Sequence, residues 1–328
     1  MQASSLLKRY WSLPGIAAAL LLAWYVPEVG QRLQHLQVPK LAVAVIFVLS
    51  GLALSLSHVL DDVGRWRCHA LIQGASFVMA PVLMALSARC FSDANVRHGL
   101  YVVAAVPTTI SSCVVFTSLA GGRTACALLN AVGGNVAGVV LSPLILRLMT
   151  GTGPGAPVRT GRAMLELGLL VLLPFAVGQI IAGLRPSVRR AMNRIGPPLS
   201  QVLILLIMLC AFSGSLHRLT GGAMSRWGVA FAYLAGFHAT LGVALLAAVR
   251  LSGLRRDESV AVFFCGTQKT LAMGTPLAYA YFADDAGAVG LVLLPLVFYH
   301  LFQLVVGNVL AHVWARRTIG PGEETTSL

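Results

Sequence analysis

Lys269 is the residue of this chain that most needs a chemical explanation. It stands in Cys265-Gly-Thr-Gln-Lys-Thr-Leu-Ala-Met-Gly-Thr-Pro276, where two glycines, a proline and several polar side chains, Gln268 and Thr270 among them, interrupt a long apolar run. An ammonium held in hydrocarbon costs at least ~2.5–3.5 kcal/mol on insertion scales, so it is expected to face a cavity and to have a partner. The bland alternative is a break near an interface, from which the long side chain reaches water. All eleven acids lie in loops, tails or close to the ends of apolar runs, which leaves no carboxylate at mid-run beside Lys269. Its counter-charge is therefore expected from carbonyls at helix C-termini or from an anionic solute.

A second segment, Val106-Pro-Thr-Thr-Ile-Ser-Ser-Cys113, sets a helix-breaking proline beside Thr108, Thr109, Ser111 and Ser112. These hydroxyls could simply bond back to their own helix around a kink. Two interruptions at matching positions point instead to a transporter's central site, because irregular backbone survives at membrane depth only inside protein or beside a wet cavity. The four hydroxyls are thus expected to face that cavity. His300 and Gln303 are three apart on one helical face of another apolar run, and Asn130 and Asn135 sit in a Gly-rich stretch. Hydrogen bonding between helices and solute contact are both open to these residues, as they are to His238, Gln73 and Ser76.

The elements that carry these segments are long apolar runs, and about 20 such residues cross a bilayer. Ten are readable: Trp11 to Val26, Pro39 to Ser57, Cys68 to Ala88, His98 to Leu119, Thr124 to Met149, Ala163 to Leu184, Pro197 to Leu216, Trp227 to Leu251, Glu258 to Phe282 and Ala286 to Ala315. The first follows Lys8 and Arg9 and resembles a signal peptide, but it lacks a clear small-residue cleavage site and reads as a span. The Gly/Pro-rich residues 150–162 read as a non-helical linker between 1–149 and 163–317, with a tail at 318–328. Five spans on each side force the halves into opposite orientation, which is the layout of an inverted repeat with one interruption in the fourth span of each half. Lys and Arg favour the side shared by the termini by fourteen to nine, so both termini are expected in the cytoplasm, at a plasma (inner) membrane.

Composition sets the limits. Hydrophobic residues make up 57% and charged ones only 11%, against roughly 25% charged in soluble domains, which excludes a soluble fold. The net charge of +13 is spread over short loops, so headgroups and topology account for it and no nucleic acid is expected. Trp11, Tyr25, Trp66, Trp227, Tyr281 and Trp314 stand at run ends, where the headgroup layer is expected to hold them. The six cysteines form no C-x-x-C pair, and no G-x-S-x-G or H-E-x-x-H string occurs, so neither a metal site nor an enzyme is expected.

In several strings the sequence resembles the bile acid:sodium symporter family, solute carrier family 10, and within it the bacterial proteins grouped with the seventh human member. The strings are Gly64-Arg-Trp-Arg67, Phe116-Thr-Ser-Leu-Ala-Gly-Gly122, Leu141-Ser-Pro143, Leu172-Leu-Pro-Phe175, Phe264-Cys-Gly-Thr-Gln-Lys-Thr-Leu-Ala272 and Leu294-Pro-Leu296 with His300 and Gln303. The resemblance implies an all-α membrane protein of ten helices. Spans 1, 2, 6 and 7 form a panel, and spans 3–5 and 8–10 form a core in which broken helices 4 and 9 cross at the ion and substrate site. By motif, Ser112 and Cys113 match the Ser and Asn that hold sodium after the fourth-span proline, and Gln268 matches the sodium-binding Gln. Sodium-symporting members carry Glu where this chain has Phe264 and Asn where it has Lys269.

The implied function is a secondary transporter of a small organic anion, with no resident cofactor or metal. Without its carboxylate the sodium site is doubtful, so Lys269 is expected to stand in for the ion, with sodium or a proton as the possible coupling ion. A second class is a membrane regulator of ion (calcium) homeostasis without solute transport of its own. The resemblance leaves the oligomeric state open.

Overall fold

The computed structural model describes residues 12–54, 62–151, 156–213, 223–282 and 286–316. Trp11, Lys8, Arg9 and the tail at 318–328 lie outside the described residues. Among those described, all regular structure is helical. In chain order the helices are α1 (Ser12–Tyr25), α2 (Pro27–His35), α3 (Val38–Ala53) and α4 (Trp66–Gly74, continued through Ala75–Met79, Ala80–Ser87 and Ala88–Cys90). Then come α5 (Ala94–Ala105), α6 (Ser111–Leu119), α7 (Thr124–Thr150) and α8 (Ala156–Leu167, continued through Gly168–Leu172 and Leu173–Leu184). The last are α9 (Pro186–Ser213), α10 (Ala223–Ser252), α11 (Arg256–Thr267), α12 (Leu271–Phe282) and α13 (Ala286–Arg316).

Among the described residues, 6 helical segments are long and apolar enough to cross a membrane, and α2 with α3, bent by 71°, makes a seventh if the pair is one span. The fourth and ninth expected runs drop out of that count because their breaks leave halves of 12 and 9 and of 12 and 12 residues. Large apolar side chains such as Leu86, Leu148 and Leu251 point outward while Asp62, Lys269 and Gln303 are enclosed. That is the reverse of a soluble protein and suits a lipid surround.

Four expectations need correction. The residues expected as a non-helical linker are largely helical: α7 runs to Thr150, Gly151 ends it at φ 93°, and α8 starts at Ala156. Pro157 falls in the first turn of α8, where a missing N–H costs nothing. Residues 27–35, which read as a loop, form α2 because Pro27 starts the helix and Glu28 sits in its first turn. In the ninth run only Gln268–Thr270 is irregular, and Gly274 and Pro276 lie inside α12. Gly274 is there for packing, since a Cβ on it would come within 2.2 Å of the Leu296 side chain. Of the aromatic side chains expected at the headgroup layer, Tyr25 and Trp66 are exposed, but Trp227 and Tyr281 are buried in protein, and the Tyr281 hydroxyl donates to Pro143 O at 2.7 Å.

The helices pack in two groups. α3 lies against α8 and α9, and α9 also against α1 and α2; in the other group α5 packs on α13, α11 on α4, α6 and α10, and α7 on α5 and α6. Within α4 the ladder widens to a π turn over Ala75–Met79, and within α8 over Gly168–Leu172, each beginning six residues before a proline, Pro81 and Pro174. A proline inside a helix lacks a donor and crowds the preceding turn, and a wide turn relieves both.

Candidate functional site

The site is built on the two breaks. Proline has no N–H, and its ring disfavours the helical conformation in the residue before it. Val106 accordingly turns extended (φ −83°, ψ 148°) and α5 stops. α11 stops at Gln268 in nearly the same conformation (φ −88°, ψ 150°) without a proline. The breaks are fastened to each other by Thr270 N–H donating to Pro107 O at 2.9 Å. Asn135 of α7 donates its amide to Thr108 O at 3.0 Å. Gln303 of α13 holds the second break from both sides, accepting from Lys269 N–H at 2.7 Å and donating to Lys269 O at 2.8 Å. Tyr299 donates to Thr267 O at 2.7 Å, and His238 bonds that hydroxyl at 3.0 Å. Irregular backbone at this depth is satisfied by protein, as a bilayer demands.

Lys269 has 0% exposure, so it does not snorkel to water. Its ammonium donates to Val106 O at 2.9 Å, Ser76 O at 3.0 Å and Ala104 O at 3.2 Å. Three protons meet three acceptors, which exhausts the group's donors. Ala104 and Val106 belong to the end of α5, where the helix dipole is negative, and Ser76 belongs to the π turn of α4. No carboxylate pairs with Lys269 among the described residues.

The residues matched to a sodium site bring neutral groups together. Thr109 and Ser112 lie against each other and bond Gln268 Oε1 at 3.0 and 2.6 Å, three converging oxygens with no carboxylate among them. Cys113 offers a soft sulfur where an amide oxygen is expected, and its thiol is tied to Thr109 O at 2.7 Å. Phe264 is buried among Phe116 and Trp314, with ring centroids 5.9 and 5.5 Å away, in a dry aromatic cluster that supplies no charge.

A cavity of about 30 Å³, room for one or two waters, lies between the two helix groups. One wall is Ile46, Phe47 and Ser50 of α3 with α9; the other is formed by Thr109, Ser111, Asn135, Thr270 and His300. Ser111 and Leu271 are the first residues of α6 and α12, so both downstream half-helices aim their N-termini here, and such ends favour negative charge. His300 adds a donor. Gln303 Oε1 is fixed by Lys269 N–H, so its amide nitrogen faces His300 Nδ1 at 3.0 Å; in the neutral ring Nε2 then carries the hydrogen. That Nε2 is buried with no protein partner.

Of the expected cavity residues, Thr109, Ser111, Thr270 and His300 line it, while Ser112 and Gln268 bond each other beside it. Thr108 is buried with its hydroxyl unpartnered. Cys113 is absent from the wall, its thiol donating to Thr109 O in the break just before α6. Asn130 is absent from the wall. It donates to His69 Nδ1 at 2.8 Å and accepts from Gln73 at 3.2 Å, joining α4 to α7.

The sequence reading missed a charged cluster at the starts of α4, α7 and α11. Asp62 is wholly buried and takes Arg65 at 2.7 Å and Arg123 at 2.5 Å, while Arg65 also pairs with Glu258 and Arg123 reaches Asp257 at 3.6 Å. Burial pushes the Asp257 carboxyl up, but Arg255 and Arg123 outweigh it and hold the group below its ordinary value. The available signal was acids and arginines flanking three run starts, which looked like ordinary loop charge.

Residues 11–316 match the family model described as the SBF-like CPA transporter family. An uncharacterised protein of Pseudomonas aeruginosa is 32% identical over 318 residues, 92% of each chain. The putative symporter YfeH of Escherichia coli is 31% identical over 319 residues, again 92% of each chain. Sodium/bile acid cotransporter 7 of Danio rerio is 27% identical over 319 residues, 92% of this chain and 93% of its own.

Proposed function

Because the chain belongs to the SBF-like CPA transporter family, among the bile acid:sodium symporters, and is a membrane transporter and not an enzyme, we propose that it is a secondary carrier of a small organic anion whose fixed cation is Lys269. One observation carries the reading: a fully buried ammonium bound to three main-chain carbonyls at the end of α5 and in α4. It supplies at the crossing the positive field that a recruited sodium ion would supply. The charged group of the anion then reaches the neighbouring cavity, before the N-termini of α6 and α12 and the Nε2–H of His300.

Coupling follows from the same geometry. A proton passed from Lys269 to water that enters between the helix groups strips one of the three carbonyls of its donor and loosens the tie between α4, α5 and the second break, so the transport cycle is coupled to protons and not to sodium. The two breaks, each in the fourth of five spans, support a ten-span inverted repeat. The Lys and Arg bias supports cytoplasmic termini.

Thermal unfolding of the purified protein against a panel of organic carboxylates and sulfonates tests this, since a ligand that prefers the folded state raises its Tm. Stabilisation is expected to be the same in sodium and potassium, and to be lost in Lys269→Gln, which stays folded and monodisperse. Steep sodium dependence in the parent, or full stabilisation of the Gln variant, overturns the proposal.

A further inference from the structure

At the turn between α8 and α9 the charge is one-sided. Arg185, Arg189, Arg190 and Arg194 fall close together in the chain, and neither the last part of α8 (Leu173–Leu184) nor the whole of α9 (Pro186–Ser213) contains an acid. The nearest acid back along the chain, Glu166, lies about 28 Å from Arg185 at 1.5 Å per helical residue and is already paired with Arg162. Arg185, Arg190 and Arg194 are exposed and form no ion pair among the described residues. Guanidinium groups on the other helix group are occupied by protein instead. Arg65 and Arg123 belong to the Asp62 cluster, Arg255 pairs with Asp257 at 2.9 Å, and Arg256 donates to Trp314 O at 3.2 Å. Like charges this close repel one another, and a shared anion removes the repulsion.

We infer that the start of α9 is a binding surface for the phosphate of an anionic phospholipid. The inference does not depend on the anion-carrier reading. Two observations select a lipid over a soluble anion or an acidic protein. The apolar span of α9 begins only at Arg194, so the turns before it stand at the level where the hydrocarbon ends and headgroups begin. Exposed apolar side chains also lie beside the arginines, Ile180 and Leu184 at the end of α8 and Ile195 and Leu199 in α9. A phosphodiester carrying acyl chains satisfies both the charge and the apolar surface. Arg190 and Arg194, four apart, share a helical face, and a guanidinium fork takes phosphate oxygens two at a time. A cluster of four or more basic residues next to a span draws anionic headgroups for the same reason. Because α9 packs on α1, α2 and α3, a headgroup held here tethers the first helix group to the bilayer surface.

The test titrates the full-length protein in detergent with dioleoylphosphatidylglycerol and, separately, with dioleoylphosphatidylcholine, and counts bound lipid by non-denaturing mass spectrometry. The parent is expected to prefer the anionic lipid by about tenfold or more, and the variant Arg185→Gln with Arg190→Gln and Arg194→Gln to bring that preference down to about twofold or less. A second triple variant, Arg32→Gln with Arg89→Gln and Arg159→Gln, removes the same charge from exposed positions on α2, α4 and α8 and is expected to keep the preference. The Tm of each variant is the folding control, and Arg190→Gln with Arg194→Gln repeats the measurement if the first triple variant does not fold. An unchanged preference in the α9 variants overturns the proposal. Equal losses in the two triple variants make net charge the cause and overturn it as well. Inorganic phosphate that displaces phosphatidylglycerol from the parent at a similar concentration marks a site for free anions, and the assignment to a lipid then fails.

Discussion

At the scale of single residues, the site depends on one glutamine as much as on the lysine. The first break is imposed by Pro107, but the second has no proline, and Gln303 replaces there the two helical hydrogen bonds that Lys269 forgoes. Gln303→Leu leaves a buried N–H and a buried C=O without partners, each at a cost of about 1–3 kcal/mol. Hydrogen bonds between membrane helices average only about 0.6 kcal/mol because the unfolded chain finds other partners. Here the larger figure applies, since the orphaned groups are main-chain atoms locked inside the fold. Gln303→Leu is therefore expected to lower stability by about 2 kcal/mol or more, and His300→Leu by clearly less, as read by unfolding in detergent titration. Equal losses would reduce Gln303 to ordinary packing. Lys269 was legible in the sequence because a charge in an apolar run demands explanation. Its acceptors were not, because carbonyls of Ser76, Ala104 and Val106 leave no mark on residue type. Ser112 was misplaced for a related reason: spacing gives a helical face, but not which neighbour that face meets.

At the scale of elements, close approach between helices sets how firmly the first group holds its shape. A Cβ on Gly51 of α3 would fall 2.3 Å from Phe175 O, and one on Gly178 of α8 would fall 2.2 Å from Val48 O, so the two backbones touch at this crossing. Gly178→Val must push the helices apart, and overpacking of this kind costs about 1–3 kcal/mol. Gly183, on the same helix with open space around it, is the control: Gly183→Ala is expected to be neutral or slightly stabilising, and Gly178→Val to lower Tm. Matching Tm values for the two variants would remove the crossing from the account. Element by element, the apolar runs were readable because lipid-facing helices need apolar length. The departures came where polarity misled. α2 is too polar to resemble a span, and residues 156–162 are too rich in Pro and Gly to resemble a helix, yet Pro157 at a helix start is harmless. The matched breaks at Val106–Ile110 and Gln268–Thr270 were found because proline and clustered hydroxyls inside apolar runs are rare. The π turn that presents Ser76 was not, since Pro81 alone does not say where a ladder widens.

At the scale of the whole molecule, the two helix groups meet along a seam that holds the cavity, while the Asp62 cluster ties together the starts of α4, α7 and α11 within one group only. That asymmetry assigns different mechanical roles to the two ends. The cluster is a brace: Asp62, Arg65, Arg123 and Glu258 hold three helices of one group in fixed relation, and none of them spans the seam. At the other end the seam is crossed by a hydrogen bond between Thr160 and Tyr281 and by the one from Gln34 to Tyr279, each worth about 1 kcal/mol. If solute passes by movement of one group against the other, locking the contact from Gln34 to Tyr279 must stop it. Gln34→Cys with Tyr279→Cys, in a Cys90→Ser background that removes the exposed native thiol and bridged by a short bifunctional methanethiosulfonate, is expected to cut uptake of a stabilising anion by more than tenfold, with recovery on reduction. The matching control lies inside one group, where His98 of α5 stacks on Phe282 of α12 with ring centroids 4.9 Å apart. Bridging cysteines at those two positions is expected to leave uptake intact. Undiminished uptake by the Gln34 to Tyr279 bridge would mean that the seam does not open during transport, and that solute reaches the crossing by another route.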